Sequence, residues 1–179
     1  MRALVVYESM YGNTHAVAIS IAAGLGTTHE VTLVPVTRAT PELVAAADLV
    51  VAGGPTHMHG MSTAGSRRMA AEAAAKEGSA LAMDPDADGP GIRGWLSGTG
   101  TGRGLAATFD TRLSGVPMLT GRASRGIARL LKAHGYRLLT APQSFIVSKE
   151  GTLLDGEEAR ARAWGAQIGE EARSASAMA

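Results

Sequence analysis

The chain has no cysteine. It can form no disulfide, iron–sulfur cluster, haem thiolate or thiol nucleophile, so any redox chemistry has to sit on a bound cofactor. Lysine is scarce as well: Lys76, Lys132 and Lys149 are followed by Glu77, Ala133 and Glu150. None of them closes a Gly-x-x-x-x-Gly-Lys-Ser/Thr segment, which excludes the nucleoside-triphosphatase phosphate loop. Charge of one sign is also missing. The formal net charge is +1 and there is no dense Lys/Arg cluster. Arg67-Arg68 and the spread Arg122, Arg125 and Arg129 read as solvated helix faces, so no nucleic-acid partner is expected. No uninterrupted apolar run reaches the roughly 18 residues of a membrane span, and no span is expected. The apolar residues after Arg2 are broken by Glu8, Ser9, Asn13 and Thr14, which does not read as a signal peptide. A cytoplasmic protein is expected.

What is present is enough for a sizeable core: 179 residues, 45% of them hydrophobic, with a mean hydropathy near zero. That length fits one domain, expected over 1–173, with a frayed tail at 174–179.

The most informative stretch is Ser9-Met10-Tyr11-Gly12-Asn13-Thr14. It follows a short, β-branched apolar run, Ala3 to Tyr7, that reads as a buried strand. It precedes Ala16 to Ala23, which reads as a helix ending at Gly24 or Gly26. A strand turning through small polar residues into a helix points unpaired N–H groups at one spot, and that spot attracts an anion. Ser9 and Thr14 add hydroxyls, Asn13 adds an amide, and Gly12 permits positive φ, so neutral donors alone can hold a phosphate. The dinucleotide fingerprint wants three glycines in this turn, and only Gly12 is there. The alternative is a polar-capped helix start with no ligand.

A first strand followed by Ser/Thr-x-x-Gly-Asn-Thr resembles the phosphate loop of the flavodoxins, which bind flavin mononucleotide (FMN). The rest of the chain extends the resemblance. Glu30 to Val36 reads as a second strand, and Thr40-Pro41-Glu42 opens a short helix with Thr40 as its cap. Asp48 to Gly53 reads as a third, buried strand. Strands separated by helix-length segments argue for a parallel sheet covered on both faces. After the third strand, Gly53-Gly54-Pro55-Thr56-His57-Met58-His59-Gly60 is expected to be an irregular loop on the same sheet edge as Ser9. It is similar to the flavin-ring loop of flavodoxin-like proteins and their quinone-reductase relatives. A receiver domain would share the fold but needs an aspartate where Gly53-Gly54 stand and a lysine where Pro142-Gln143 stand.

Two histidines, His57 and His59, would face the same way if extended, but no third ligand is apparent nearby, and no metal site is assigned. An alanine-rich helix is expected from about Ser66 to Lys76. The Gly-, Asp- and Pro-rich segment 78–103 reads as an excursion over the cofactor end or a subunit contact, anchored by Trp95. Leu105 to Phe109 is the fourth strand, followed by a third loop from Asp110. Flavodoxins commonly carry an aspartate there, which Asp110 matches, and a stacking aromatic, which is missing. Phe109 is expected in the core, which leaves stacking to His57, Met58 or Trp95. A helix over Gly121 to His134 follows, then a fifth strand in two pieces, Tyr136 to Leu139 and Ser144 to Val147, interrupted at Pro142. The last helix is expected from Gly156 to about Arg173.

The resemblance implies a flavodoxin-like α/β sandwich with a five-stranded parallel sheet, order 2-1-3-4-5. It implies FMN bound by Ser9, Met10, Tyr11, Gly12, Asn13 and Thr14 at the phosphate, and by Pro55, Thr56, His57, Met58 and Gly60 at the ring. Thr108, Phe109, Asp110, Thr111 and Arg112 complete the expected set. No residue is assigned a catalytic role, since the flavin carries the chemistry. Electron transfer to a redox partner protein is the implied function. Flavodoxin shuttles are typically acidic, and this chain is not, which leaves open an FMN-dependent NAD(P)H:quinone oxidoreductase. That reading brings a homo-oligomer with it. A flavodoxin-fold binding or regulatory module without tight flavin binding is the third reading. If Arg112 lies by the N1–O2 edge of the ring, it should stabilise the reduced, anionic flavin and raise the potential.

Overall fold

The computed structural model describes residues 1–102, 104–115 and 120–177. Its centre is a parallel sheet. In chain order the elements are β1 (Arg2–Tyr7), α1 (Asn13–Leu25), β2 (Glu30–Pro35), α2 (Pro41–Ala46), β3 (Leu49–His57), β4 (Gly60–Met61) and α3 (Ala64–Ala74). There follow α4 (Gly91–Gly98), β5 (Leu105–Leu113), α5 (Ala123–Ala133), β6 (Arg137–Leu138), β7 (Gln143–Val147) and α6 (Glu157–Ala177). The strand order is β2-β1-β3-β5-β6, with β7 also on β5 and β4 on β3. This is the expected flavodoxin-like α/β fold with helices on both faces. The strand count differs from the expected five: among the described residues the sheet has seven. The expected fifth strand is two short strands, β6 and β7, both parallel to β5, and β4 is a two-residue antiparallel return against β3.

The two cores follow from the period-2 alternation of the strands. Ala3, Val5 and Tyr7 of β1 point one way with Leu49, Val51, Ala107 and Phe109, and pack against α1 (Val17, Ile21, Leu25) and α6 (Trp164, Ile168). Leu4, Val6, Val50, Ala52 and Ala106 point the other way, against Ile92, Trp95 and Leu96 of α4 and Ile127 and Leu131 of α5. Each fully buried side chain of this size contributes roughly 1.5–3 kcal/mol of transfer free energy.

Four expectations change. The Gly53–Gly60 stretch is not a loop throughout. β3 continues to His57, in register with β5 as far as Pro55↔Thr111, and the chain turns only at Met58 and His59, both at positive φ (44° and 76°). Gly53 is needed in the strand for packing, since a Cβ there would enter the Phe109 ring. Asp110, Thr111 and Arg112 likewise lie within β5, which runs to Leu113, rather than in a loop after it. Segment 78–103 is not simply an excursion. Its Ile92, Trp95 and Leu96 make α4 a covering helix, and the Trp95 indole N–H donates to the Ala39 carbonyl at 3.0 Å. Burial of three large apolar side chains explains why an eight-residue helix holds there. Trp95 therefore does not stand at the cofactor edge. The last helix runs past Arg173 to Ala177.

Candidate functional site

Because β1, β3, β5 and β7 are parallel, the segments that follow them emerge on one edge of the sheet, the place where open α/β sheets bind ligands. There a pocket of about 150 Å³ opens between four segments. Met10, Tyr11, Asn13 and Thr14 come from the β1–α1 turn, and Pro55, Thr56 and His57 from the end of β3. Thr111, Arg112 and Leu113 come from the end of β5, with Val147 at the end of β7 and Gly151 beyond it.

The β1–α1 turn is built for an anion. Gly12, at φ 87°, starts α1 with no side-chain cap, and the first turn carries neither an acidic residue nor a capping carboxylate. The helix N–H groups are thus left for a ligand. Ser9 is buried, and its Oγ accepts the Gly12 N–H at 3.1 Å, closing the turn. Asn13 Nδ2 donates to the Gly151 carbonyl at 2.8 Å. Thr14 Oγ1 and Thr111 Oγ1 are 2.7 Å apart, tying the turn to β5. The Tyr11 hydroxyl donates to the Ala70 carbonyl at 2.9 Å, which lays α3 beside the same edge.

Around the β3 end, His57 Nδ1 is 3.3 Å from Ser66 Oγ of α3. Burial holds the His57 imidazole below its usual range; Glu8 opposes this and Arg67 adds to it. Glu8 is itself buried, and its Oε2 accepts the Ile92 N–H at 2.8 Å. Thr56 Oγ1 accepts the Ala123 N–H at the start of α5. Arg112 is nearly buried, and its Nη1 donates to the Leu113 and Gly115 carbonyls and to Thr120 Oγ1 at 3.0–3.2 Å.

Of the sixteen residues expected at the cofactor, nine line the pocket, and Ser9 and Gly12 shape its turn. Met58 is exposed at the tip of the β3–β4 turn, with Gly60 beside it. The side chains of Thr108, Phe109 and Asp110 are buried and do not line the pocket. Phe109 sits in the core, as expected. Asp110 Oδ2 instead accepts the Ser124 N–H at 2.7 Å, at the start of α5. Burial raises the Asp110 carboxyl above the usual carboxylate range, with the Ser124 and Ser144 contacts and Arg112 pulling the other way.

Val147, Gly151, Leu113 and the contact between Thr14 and Thr111 were not singled out in the sequence. The position of Lys149-Glu150-Gly151 after the last strand of a parallel sheet is the signal that could have found the far wall.

The family model described as "Flavodoxin" matches residues 5–116, which takes in the β1–α1 turn, all of β3 and all of β5. The chain belongs to the flavodoxin family. Flavodoxins bind FMN and pass electrons, and this flavodoxin-like protein is FMN-binding and acts in electron transfer. A comparison with curated proteins finds no match. Among solved structures, the chain is similar to a flavodoxin from the domain Archaea, with TM-score 0.65 and 18% identity over 97% of this chain and 99% of that one. It is similar to flavodoxin 1 of Bacillus cereus, with TM-score 0.62 and 16% identity over 97% and 98%. The WrbA-like flavodoxin of Agrobacterium tumefaciens gives TM-score 0.58 and 22% identity over 97% and 98%. At these identities the likeness speaks for the fold.

The residues present fit FMN by donor chemistry: an uncapped helix start, two hydroxyls and an amide suit a dianionic phosphate, and the strand ends offer backbone groups. The pocket is below the roughly 300–1,000 Å³ usual for ligands of this size. Its lining has to open for the ring. Among the described residues no helix is long and apolar enough to cross a membrane.

Proposed function

We propose that this flavodoxin is a one-domain, cytoplasmic electron carrier whose FMN is held at the pocket between the β1–α1 turn and the ends of β3, β5 and β7. The observation that carries this is the convergence of the uncapped α1 start with those three strand ends on one edge. FMN, when bound, supplies the one- and two-electron chemistry. The chain's own part is to bind and orient. The N–H groups after Gly12, with Ser9, Asn13 and Thr14, hold the phosphate. Pro55 to His57, with Met58 and Gly60, border the ring, and Thr111 and Arg112 close the other side through backbone groups and the fixed guanidinium. Backbone around Thr108 to Asp110 supports that wall from the core. Among the described residues no aromatic ring other than Tyr11 and His57 lines the pocket, so His57, kept neutral by burial, is the side chain proposed to lie against the flavin.

One observation favours a second reading. A carrier for basic partners is expected to be acidic, and this chain has a formal net charge of +1. An NAD(P)H:quinone oxidoreductase, with a second copy of the chain completing the site, accommodates that balance.

The deciding experiment adds FMN to the purified protein, removes the excess by gel filtration, and records the visible spectrum before and after NADPH, with and without a quinone. A retained flavin band unchanged by NADPH supports the carrier. A band bleached by NADPH and restored by quinone supports the reductase. No retained band overturns both and leaves a binding module.

A further inference from the structure

Outside the pocket, on the other flank of the β1–α1 turn, the segment around Asp84 folds over the end of β1. The Asp84 N–H donates to the Met10 carbonyl at 2.8 Å, which pins this segment to the turn. Asp84 Oδ1 accepts the Asp86 N–H at 2.9 Å. Its other oxygen, Oδ2, is buried without a hydrogen-bond partner and lies 3.4 Å from Nδ1 of His15, the third residue of α1. Asp84 as a whole is only 6% exposed. The His15 ring is held in place by stacking on Tyr7, with centroids 4.5 Å apart and planes 16° from parallel. Asp86 closes the third side. Its Oδ2 accepts the Tyr7 hydroxyl at 3.0 Å, and its Oδ1 is 3.3 Å from the exposed Arg38 Nη2.

A buried carboxylate oxygen with no donor is costly. An ion pair with His15 relieves it only while the imidazole is protonated. A cation between the groups relieves it at any pH at which the ligands are deprotonated. One ligand atom from each of His15, Asp84 and Asp86 lies within 4.8 Å of the other two. We propose that His15, Asp84 and Asp86 form a binding site for a divalent first-row transition cation, with Zn²⁺ its natural probe.

The donor set chooses the class of ion. One imidazole and two carboxylates suit Zn²⁺ and its first-row neighbours, whereas Ca²⁺ and Mg²⁺ prefer an all-oxygen shell. His15 and Asp86 are partly exposed, so an ion has an entry path and water can take the remaining positions. Arg38, largely exposed, can swing off Asp86 at little cost. His15 follows Thr14 directly, so a bound cation would offset two carboxylates placed beside the phosphate turn. The site does not depend on FMN being bound.

The test is calorimetric titration of Zn²⁺ into the chelator-treated, flavin-free full chain, alongside thermal unfolding with and without Zn²⁺. One equivalent of Zn²⁺ is expected to bind and raise the melting temperature. Asp84→Asn keeps the shape and removes the buried charge; it is expected to fold at least as stably in metal-free buffer and to bind Zn²⁺ at least tenfold more weakly. His15→Gln should do the same to binding, while a His59→Gln, His134→Gln double variant should bind as the wild type does. No binding by the wild type, or binding kept by Asp84→Asn and His15→Gln, overturns the proposal.

Discussion

The hydroxyls of Thr14 and Thr111, 2.7 Å apart and buried, join the start of α1 to the end of β5, two segments 97 residues apart in the chain. Either hydroxyl can donate, so the pair shares one proton and keeps its other sites for a ligand. Replacing Thr111 by Val should lower stability by about 1 kcal/mol and weaken FMN binding severalfold. A double-mutant cycle with Thr14→Val, read by urea unfolding, should return a coupling energy of about 0.5–1.5 kcal/mol. Additive losses would mean that the hydroxyls act separately.

Gly53 and Phe109 form a second tight pair. A Cβ at Gly53 would overlap the Phe109 ring, and both residues are buried within neighbouring strands. Gly53→Ala should therefore destabilise by about 1–3 kcal/mol through overpacking. Adding Phe109→Leu, which withdraws the ring, should cost less in the Gly53→Ala background than in the wild type. Equal costs in the two backgrounds would count against the packing explanation.

Much of this architecture was legible in the sequence because its signals are local. Apolar runs with β-branched residues gave β1, β2, β3 and β5, Thr40-Pro41 gave the start of α2, whose cap the structure bears out, and Gly12-Asn13-Thr14 gave the turn from β1 into α1. The Gly53–Gly60 stretch misled because glycine and proline usually break strands. Here the strand is set by pairing with β5 on one side and β1 on the other, and Gly53 makes room for Phe109. Trp95 misled for a related reason: the amphipathic piece Ile92 to Leu96 is legible in the sequence, but its Gly-rich context does not show that the apolar face packs on the sheet rather than over the cofactor end. Asp110 shows the limit of motif transfer. A carboxylate at the expected position meets a helix start before it meets a ligand. The cluster of His15, Asp84 and Asp86 has no complete local signature, since His15 lies far in sequence from the Asp84 and Asp86 pair.

Arg112 is fixed by three contacts from a single Nη1, to Leu113, Gly115 and Thr120. Removing it by Arg112→Ala should loosen the end of β5, lower stability by about 1.5–3 kcal/mol and weaken FMN retention in gel filtration. Arg112→Gln keeps a donor and removes the charge. If the guanidinium acts on the reduced flavin, Arg112→Gln should lower the midpoint potential measured by dye titration. An unchanged potential with weakened FMN retention would restrict Arg112 to holding the wall.

Asp110 should set part of the pH dependence of stability. Its carboxyl is fully buried, and burial raises its pKa above the usual value near 3.8. The folded state therefore binds this proton more tightly than the unfolded state does. Stability from the group is fully present below about pH 4 and is lost as pH rises through the elevated folded-state value. Asp110→Asn keeps an acceptor for the Ser124 N–H and cannot ionise. The stability of the wild type relative to Asp110→Asn, from urea unfolding at a series of pH values, should fall steadily from pH 4 toward 7. A difference that stays flat across that range would mean that the hydrogen bond from the Ser124 N–H, the nearby Ser144 hydroxyl and the charge of Arg112 cancel the cost of burial. A difference that grows in favour of the wild type would mean that they outweigh it. In either case Asp110 would be an ordinary charged helix cap rather than a buried acid.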